Sequence, residues 1–163
     1  RNKLGFGESV GKIIFKEQPP GYSYSLFGRA YELKVPVTVH VAVGTDIVHQ
    51  HPSARGDAIG AASMRDFRIW SEVVSKIGNG GVVLLFGSSV IMPEVFLKAL
   101  TVARNIYGSV DRFTTANFDM IRHYRPRVNV LDRPTRNNGT SYSFTGHHEI
   151  MIPLFTAVLH EFL

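Results

Sequence analysis

The feature that most constrains the fold is a short apolar run, Val82–Phe86, which has a glycine on each side. The run lacks polar alternation, and this is typical of a strand that is buried on both faces. Segments with helical spacing of apolar residues come before and after it, as in Ala61–Ile77. Strands separated by helices predict an α/β fold with a mainly parallel sheet and helices on both faces.

The remaining elements follow from spacing and from glycine and proline breaks. Besides Ala61–Ile77, helices are predicted at Gly5–Phe15, Tyr22–Leu33, Pro93–Tyr107 and Glu149–Phe162. Further strands are predicted at Pro36–Val43, Arg112–Ala116 and Val128–Leu131, and polar loops at Gln50–Gly60 and Asp132–Ser143. The order predicts one α/β nucleotide-binding-like domain over residues 1–163. The chain opens at Arg1, so we expect a processed chain or a segment of a longer one.

Composition narrows the class of protein. With 163 residues and 44% hydrophobic content the chain can build a real core, and only 19% of its residues are charged, which argues against disorder. The formal charge is +5, and seven arginines but no lysine lie between Arg104 and Arg136. Arginines of this kind bind phosphates or carboxylates, and a solvated basic face or a subunit contact explains them equally well. Nucleic-acid binding is not expected, because no binding motif is present.

Cysteine is absent, so disulfides and thiolate chemistry are excluded, and a reducing cytoplasm fits. The longest apolar runs, Gly81–Phe86 and Ile150–Leu159, are too short to cross a bilayer. We therefore expect a cytoplasmic protein without a membrane span.

Three polar clusters fall at the ends of predicted strands, where open parallel sheets bind ligands. They are Gly44-Thr45-Asp46, then Gly87-Ser88-Ser89 ahead of the Pro93 helix, then Thr114, Thr115, Asn117 and Asp119. Backbone amides at a helix start attract phosphate, while Thr and Asp can bind ribose hydroxyls or amides. A plain turn with an Asx bond is the competing interpretation of Gly44–Asp46. The Gly87 turn is neither a P-loop nor a nucleophile elbow.

The histidines offer a rival chemistry. His49 and His51 lie near Asp46, and His147 and His148 stand just ahead of the last predicted helix, which opens at Glu149. A metal site of a hydrolase is chemically possible with these ligands. However, His49 and His51 lie in a predicted loop and no His-Glu-x-x-His motif is present. His147, His148 and Glu149 are instead candidate acid–base groups at the rim of a cleft.

Taken in order, several segments resemble the C-terminal portion of deoxyhypusine synthase. Gly7–Lys12 resembles the Glu-Ser-(Ile/Val)-Gly stretch of that family, and Phe113–Asp119 resembles its Asn-Thr-Ala-Gln-Glu-Phe-Asp. The resemblance extends over Tyr24–Pro36, Thr45-Asp46, Gly80–Val90 and Thr145–Phe162. It implies a Rossmann-like, deoxyhypusine synthase/sirtuin-like NAD-binding fold, NAD as cofactor, transferase chemistry and a homo-oligomer, a tetramer in that family.

The resemblance does not extend to the catalytic lysine of the family. No lysine occurs after Lys98, and Val128–Gly146, where the family has Trp-Gly-Lys, contains neither lysine nor tryptophan. A Schiff-base route needs a lysine amine, and arginine cannot replace it because it stays protonated. We therefore expect a synthase-like protein with a nucleotide cleft that does not transfer polyamine. A metal-dependent hydrolase and a non-catalytic oligomeric subunit remain the alternatives, and the sequence leaves open whether the chain is an enzyme.

Overall fold

The computed structural model describes residues 4–163. These residues form two compact units, unit 1 up to Glu72 and unit 2 over Val73–Leu163. The prediction of a single domain over the whole chain stays a prediction. Within the described residues, no helix combines the length and the apolar character that a bilayer crossing needs.

Unit 1 is built from helices that approach one another through glycines. Its helices are α1 (Phe6–Glu17), α2 (Leu26–Glu32) and most of α3 (Gly56–Ser75), with 3₁₀ turns at Tyr22–Tyr24 and Ile47–Gln50. A methyl group on Gly11 would lie 2.7 Å from the Phe27 carbonyl oxygen. Glycine therefore allows α1 and α2 to pack closely. The predicted helices Gly5–Phe15 and Ala61–Ile77 are confirmed, although α3 begins earlier than expected, at Gly56 inside the predicted loop. The predicted helix Tyr22–Leu33 is confirmed only in part, because it is divided into a 3₁₀ turn and α2.

The predicted strand at Pro36–Val43 is wrong, because this segment joins no sheet. Side chains take the place of a neighbouring strand. The Val39 amide donates to Asp66 Oδ2 (2.8 Å), and the Val41 amide donates to Ser63 Oγ (3.2 Å). The Val-rich sequence favours extended backbone, but a strand also needs a partner for its amides, and here α3 satisfies them.

Unit 2 contains a three-stranded parallel sheet in the order β1 (Val82–Phe86), β2 (Thr114–Asp119) and β3 (Thr140–Thr145). The register pairs Phe86 with Phe118 and Phe118 with Phe144. Their rings stack at centroid distances of 4.6 and 4.8 Å. A mainly parallel α/β architecture is therefore confirmed.

Several predictions about this sheet are wrong. Val128–Leu131 is not a strand, because it lies in a π-helical turn, Arg127–Asp132, that follows the short helical turn α5 (Tyr124–Pro126). The third strand, β3, lies instead at the end of the predicted loop. The β2 strand also starts and ends later than the predicted strand Arg112–Ala116.

The core of unit 2 lies between helix α4 (Ile91–Tyr107) and the buried face of the sheet. Its largest buried side chains include Phe96 and Leu100 of α4 together with Phe113. The expected burial of β1 on both faces is wrong, because one face of the strand is exposed. Val82, Leu84 and Phe86 lie on this exposed face, and half-buried Val83 and buried Leu85 lie on the other. The last helix, α6 (His148–Phe162), reaches the exposed side through Phe155, whose ring lies 5.6 Å from that of Phe118.

Candidate functional site

The carboxyl ends of β1, β2 and β3 meet at one edge of the sheet, because the strands are parallel and paired in register. Gly87 follows β1, Asp119 ends β2, and Gly146 follows β3. Backbone bonds join these ends: the Gly87 amide donates to Phe118 O, and the Gly146 amide to Asp119 O, each at 3.0 Å. We call this set of strand ends and the loops that follow them the carboxyl edge.

Gly87 needs to be glycine for two independent reasons. Its φ of +59° lies in the left-handed region, which other residues adopt at a cost. A methyl group here would also lie 2.9 Å from Nε2 of His148. The imidazole of His148 therefore lies directly against the turn after β1.

Ser88 and Ser89 lead from this turn into α4. The Ser88 hydroxyl accepts a hydrogen bond of 3.2 Å from the Met92 amide in the first turn of the helix. This bond satisfies one of the amides that a helix start leaves unpaired. The Gly87–Ser89 loop thus brings hydroxyls and the positive end of a 17-residue helix to the carboxyl edge.

Asp119 supplies a carboxylate on a side chain that is 10% exposed. Its Oδ1 accepts from the following amide, that of Met120, at 2.8 Å. Its Oδ2 lies 4.0 Å from Nε2 of His123, a distance at which a protonated imidazole attracts the carboxylate. His123 is a member of the site that the sequence did not reveal. Its spacing of four residues from Asp119 across a loop carries no recognisable pattern.

The three predicted acid–base residues differ in their surroundings. His147 is exposed and precedes α6, and its carbonyl oxygen accepts from the amides of Ile150 and Met151. His148 is half-buried, and its Nδ1 is fully buried without a hydrogen-bond partner among the described residues. Glu149 is exposed in the first turn of α6. Only His148 therefore combines contact with the carboxyl edge and an unsatisfied ring nitrogen.

The predicted cluster on β2 divides along the strand. Thr114 starts the strand, at the opposite edge of the sheet from Asp119. Thr115 and Asn117 are buried on the same face as Asp119, and Thr115 Oγ1 and Asn117 Oδ1 have no partner among residues 4–163. The structure brings Asp119 together with Gly87 and His148, while Thr115 and Asn117 lie within the sheet behind them.

Gly44, Thr45 and Asp46 belong to unit 1, where they form a turn whose polar groups are satisfied locally. Asp46 Oδ2 accepts from the Ala42 amide at 2.7 Å, and the Thr45 hydroxyl donates to Ala42 O at 3.1 Å. Gly44 has a φ of +87°. A turn is thus present, but Asp46 closes it onto an amide four residues earlier and not through an Asx bond, and the role of these residues toward a cofactor stays a prediction.

The histidines do not assemble a metal site. Across residues 4–163, no three His, Asp or Glu side chains converge closely enough to hold a metal ion. His49 Nδ1 bonds to Asp46 O at 2.8 Å, and His51 Nδ1 bonds to Ser53 Oγ at 2.7 Å. The Nδ1 atoms of both imidazoles therefore have local partners in unit 1, while Nε2 of His49 is buried without a hydrogen-bond partner among the described residues.

A charged cluster beside the start of α4 was not predicted from the sequence. The Glu94 carboxylate bonds to Lys98 Nζ (2.6 Å) and Asn129 Nδ2 (2.7 Å), and Arg125 Nε lies 3.4 Å from it. The Lys98 hydrogen bond, followed by the nearby positive charges, holds the pKa of Glu94 below its usual value. The cluster keeps a guanidinium next to the first turn of α4. Only the spacing of Glu94 and Lys98 was visible in the sequence.

Comparisons with protein-family models, with curated proteins and with solved structures found no match to this chain.

Proposed function

We propose that the chain is a deoxyhypusine synthase-like protein that binds NAD, or a closely related nucleotide, at the carboxyl edge of a Rossmann-like sheet. The observation that carries the proposal is the contact of Gly87 with His148 at the edge where β2 ends in Asp119. Ligands of open α/β sheets bind at such an edge.

The loop after β1 is the part that suits a phosphate. Ser88 and Ser89 precede a long helix whose N-terminus favours negative charge. Arg125 lies beside the first turn of this helix, held by Glu94. A pyrophosphate would find backbone amides, hydroxyls and a guanidinium close together here, and arginine suits phosphate through its planar fork.

Asp119 and His148 are the groups that suit the rest of a nucleotide. A carboxylate at the end of a strand can accept hydrogen bonds from both ribose hydroxyls. The buried, unpartnered Nδ1 of His148 offers a donor or an acceptor to a carboxamide or to a reacting group. Bound NAD would supply a hydride acceptor, and His147, His148 and Glu149 would supply proton transfer beside it. Without a lysine after Lys98, polyamine transfer is not part of the proposal.

Titration calorimetry of the full chain with NAD tests this proposal. We expect saturable binding that Asp119→Asn and His148→Ala each weaken about tenfold, the equivalent of roughly 1.4 kcal/mol. His160→Ala, an exposed histidine near the far end of α6, is the matched control and should leave affinity unchanged. Absence of heat at millimolar NAD, or equal weakening by the control, would contradict the proposal.

A second role, as an assembly subunit, is favoured by the surface of α6. Ile150, Leu154 and Phe162 are 65%, 57% and 85% exposed. The helix carries few charged residues, so a second copy of the chain could pack against it without bringing like charges together. We propose self-association through α6 into the homo-oligomer that the resemblance implies. Light scattering should report an oligomer that Leu154→Glu dissociates, with Glu161→Gln as control, and a monomeric wild-type chain would contradict this role.

A further inference from the structure

Unit 1 contains a cavity of about 590 Å³ that the nucleotide proposal does not use. This volume lies within the range of small-molecule sites, which is roughly 300–1,000 Å³. Most of the lining is apolar or aromatic, and it includes Phe15 of α1, Phe27 and Tyr31 of α2, and Ile69 of α3. The segment Lys34–Val37 closes another side.

The shape of the cavity follows from the packing of α1 and α2. The Phe15 and Tyr31 rings lie 5.6 Å apart and form an aromatic wall. Glu8 and Phe15, both in the lining, are seven residues apart on α1, so at 1.5 Å per residue they are separated by about 10 Å along its axis. A ligand would therefore extend along α1, with the aromatic wall beside one end and Glu8 beside the other.

Three charged side chains line the cavity, but only two of them remain free. The Glu32 carboxylate accepts from the Tyr22 hydroxyl at 2.8 Å and also pairs with Arg29. Within residues 4–163, neither the Glu8 carboxylate nor the Lys34 ammonium has a hydrogen-bond or ion-pair partner. The lining of the cavity thus presents one negative and one positive charge that no described side chain pairs.

This pair of charges selects among apolar ligands. An anionic ligand would be attracted by Lys34 and repelled by Glu8, and a cationic ligand would meet the reverse. A zwitterion can direct its carboxylate to Lys34 and its ammonium to Glu8, so that both side chains are paired. We propose that unit 1 binds an apolar zwitterion, of the class of hydrophobic amino acids and hydrophobic dipeptides, with its side chains against the Phe15–Tyr31 wall.

The test uses one apolar body with three charge states, titrated into the full chain by calorimetry. The probes are phenylalanyl-leucine, its N-acetyl form (an anion) and its C-terminal amide (a cation). We expect the zwitterion to bind at least about tenfold more tightly than either singly charged form. Equal affinity for the three forms, or no binding of any of them, would overturn the proposal.

Two variants reverse the preference if the charges act as proposed. Glu8→Gln leaves Lys34 alone, so it should bind the N-acetyl form best. Lys34→Gln leaves Glu8 alone, so it should bind the amide best. Glu17→Gln and Lys16→Gln, on exposed positions of α1 outside the cavity lining, are matched controls and should keep the wild-type order.

The remaining outcomes also decide the question. Glu8 and Lys34 are exposed, so both variants should unfold at the wild-type temperature. Equal melting temperatures would show that a changed ligand preference comes from the cavity and not from unfolding. If Phe27→Glu dissociates an oligomer and the dipeptide does not bind, the cavity accepts a second copy of the chain and the proposal fails. NAD affinity of the same variants should be unchanged, which separates this site from the carboxyl edge.

Discussion

Unit 1 and unit 2 bury very different groups. In unit 2 the interior is mainly an apolar core, with Phe96, Leu100 and Phe113 almost fully buried, and the polar Thr115 and Asn117 are buried as well. In unit 1 a fully buried carboxylate, Asp66, accepts hydrogen bonds from the amides of Gly7 (3.0 Å) and Val39 (2.8 Å). Unit 2 therefore buries a large apolar area, whereas the extended segment of unit 1 depends on one carboxylate, because a segment without a partner strand needs another acceptor for its amides.

The largest expected effect lies in unit 2. Phe113 is 2% exposed and its ring packs edge-on against Phe96, so Phe113→Ala removes buried area and leaves a cavity. We expect a loss of about 3–5 kcal/mol in the free energy of unfolding, measured by urea denaturation. Tyr107→Ala, at a residue 61% exposed, is the control and should change the free energy little. A small loss at Phe113 would show that the core is not packed as described.

Asp66→Ala should have the next largest effect. The substitution leaves the buried amide of Gly7 and the half-buried amide of Val39 without an acceptor, and a buried group left in this way costs about 1–3 kcal/mol. We expect a total loss of about 2–4 kcal/mol, because removal of a buried charge offsets part of the penalty. Hydrogen exchange should accelerate at Val39 as well.

The control for Asp66 is Asp57→Ala, which breaks an exposed ion pair with Arg55. Such pairs contribute little to stability. If Asp66→Ala proves no more destabilising than Asp57→Ala, the contrast between the two units is lost.

Gly87→Ala should cost less, about 1–2 kcal/mol, from its positive φ and from the collision with the His148 ring. Part of this loss should be recovered in the double variant Gly87→Ala/His148→Ala, since only the collision is relieved. Gly60→Ala provides the opposite control: this helical glycine has open space around it, and alanine there should stabilise α3. Strict additivity of Gly87→Ala and His148→Ala would contradict the described contact.

The smallest effect concerns pH and His40 in unit 1. Burial lowers the pKa of His40, and the nearby Asp66 opposes this shift. The unfolded chain therefore binds a proton more readily than the folded chain, so the stability that the neutral imidazole provides is lost as the pH falls below about 6.5. His40→Gln should show a smaller loss of stability between pH 7 and pH 5.5 than wild type, whereas exposed His160→Gln should follow wild type.

Much of the helical structure could be predicted from the sequence, since α1, α3, α4 and α6 have clear periodicity and glycine or proline boundaries. The errors concern strands, because a strand needs a neighbouring strand to pair with and the local sequence does not show whether one is present. Val128–Leu131 has β-branched residues typical of a strand, but it follows Pro126 and Arg127, which are both helical, and continues their helical turn. The spacing of apolar residues over four positions does not distinguish a strand from a helical turn.

The third strand was missed for the opposite reason. Its sequence, Thr-Ser-Tyr-Ser-Phe-Thr, is polar enough to suggest a loop, and every residue of it is exposed. The alternation of Tyr142 and Phe144 with serines was the available signal, and the ring of Phe144 indeed stacks on Phe118. Edge strands rely on one neighbour and need little apolar character, so composition underestimates them.

The candidate site was predicted in part. Gly87, Asp119 and His148 lie at the same edge of the sheet, because the strands are parallel. This edge could be predicted, since glycines and polar residues in the sequence mark where strands end. His123 and the Glu94–Arg125 pair were not found, since loop conformation brings them to the edge and no spacing rule encodes it. The sequence also does not reveal which buried polar atoms lack hydrogen-bond partners, because this depends on packing. Asn117 Oδ1 is an example.

The most direct test of the central claim is the map of amide chemical-shift changes when NAD is added to the full isotopically labelled chain. Nucleotide binding at the carboxyl edge predicts the largest changes at Gly87–Ser89, Asp119–Met120 and Gly146–His148, saturating with one dissociation constant. Changes confined to residues of unit 1, or an unchanged spectrum at millimolar NAD, would contradict the account.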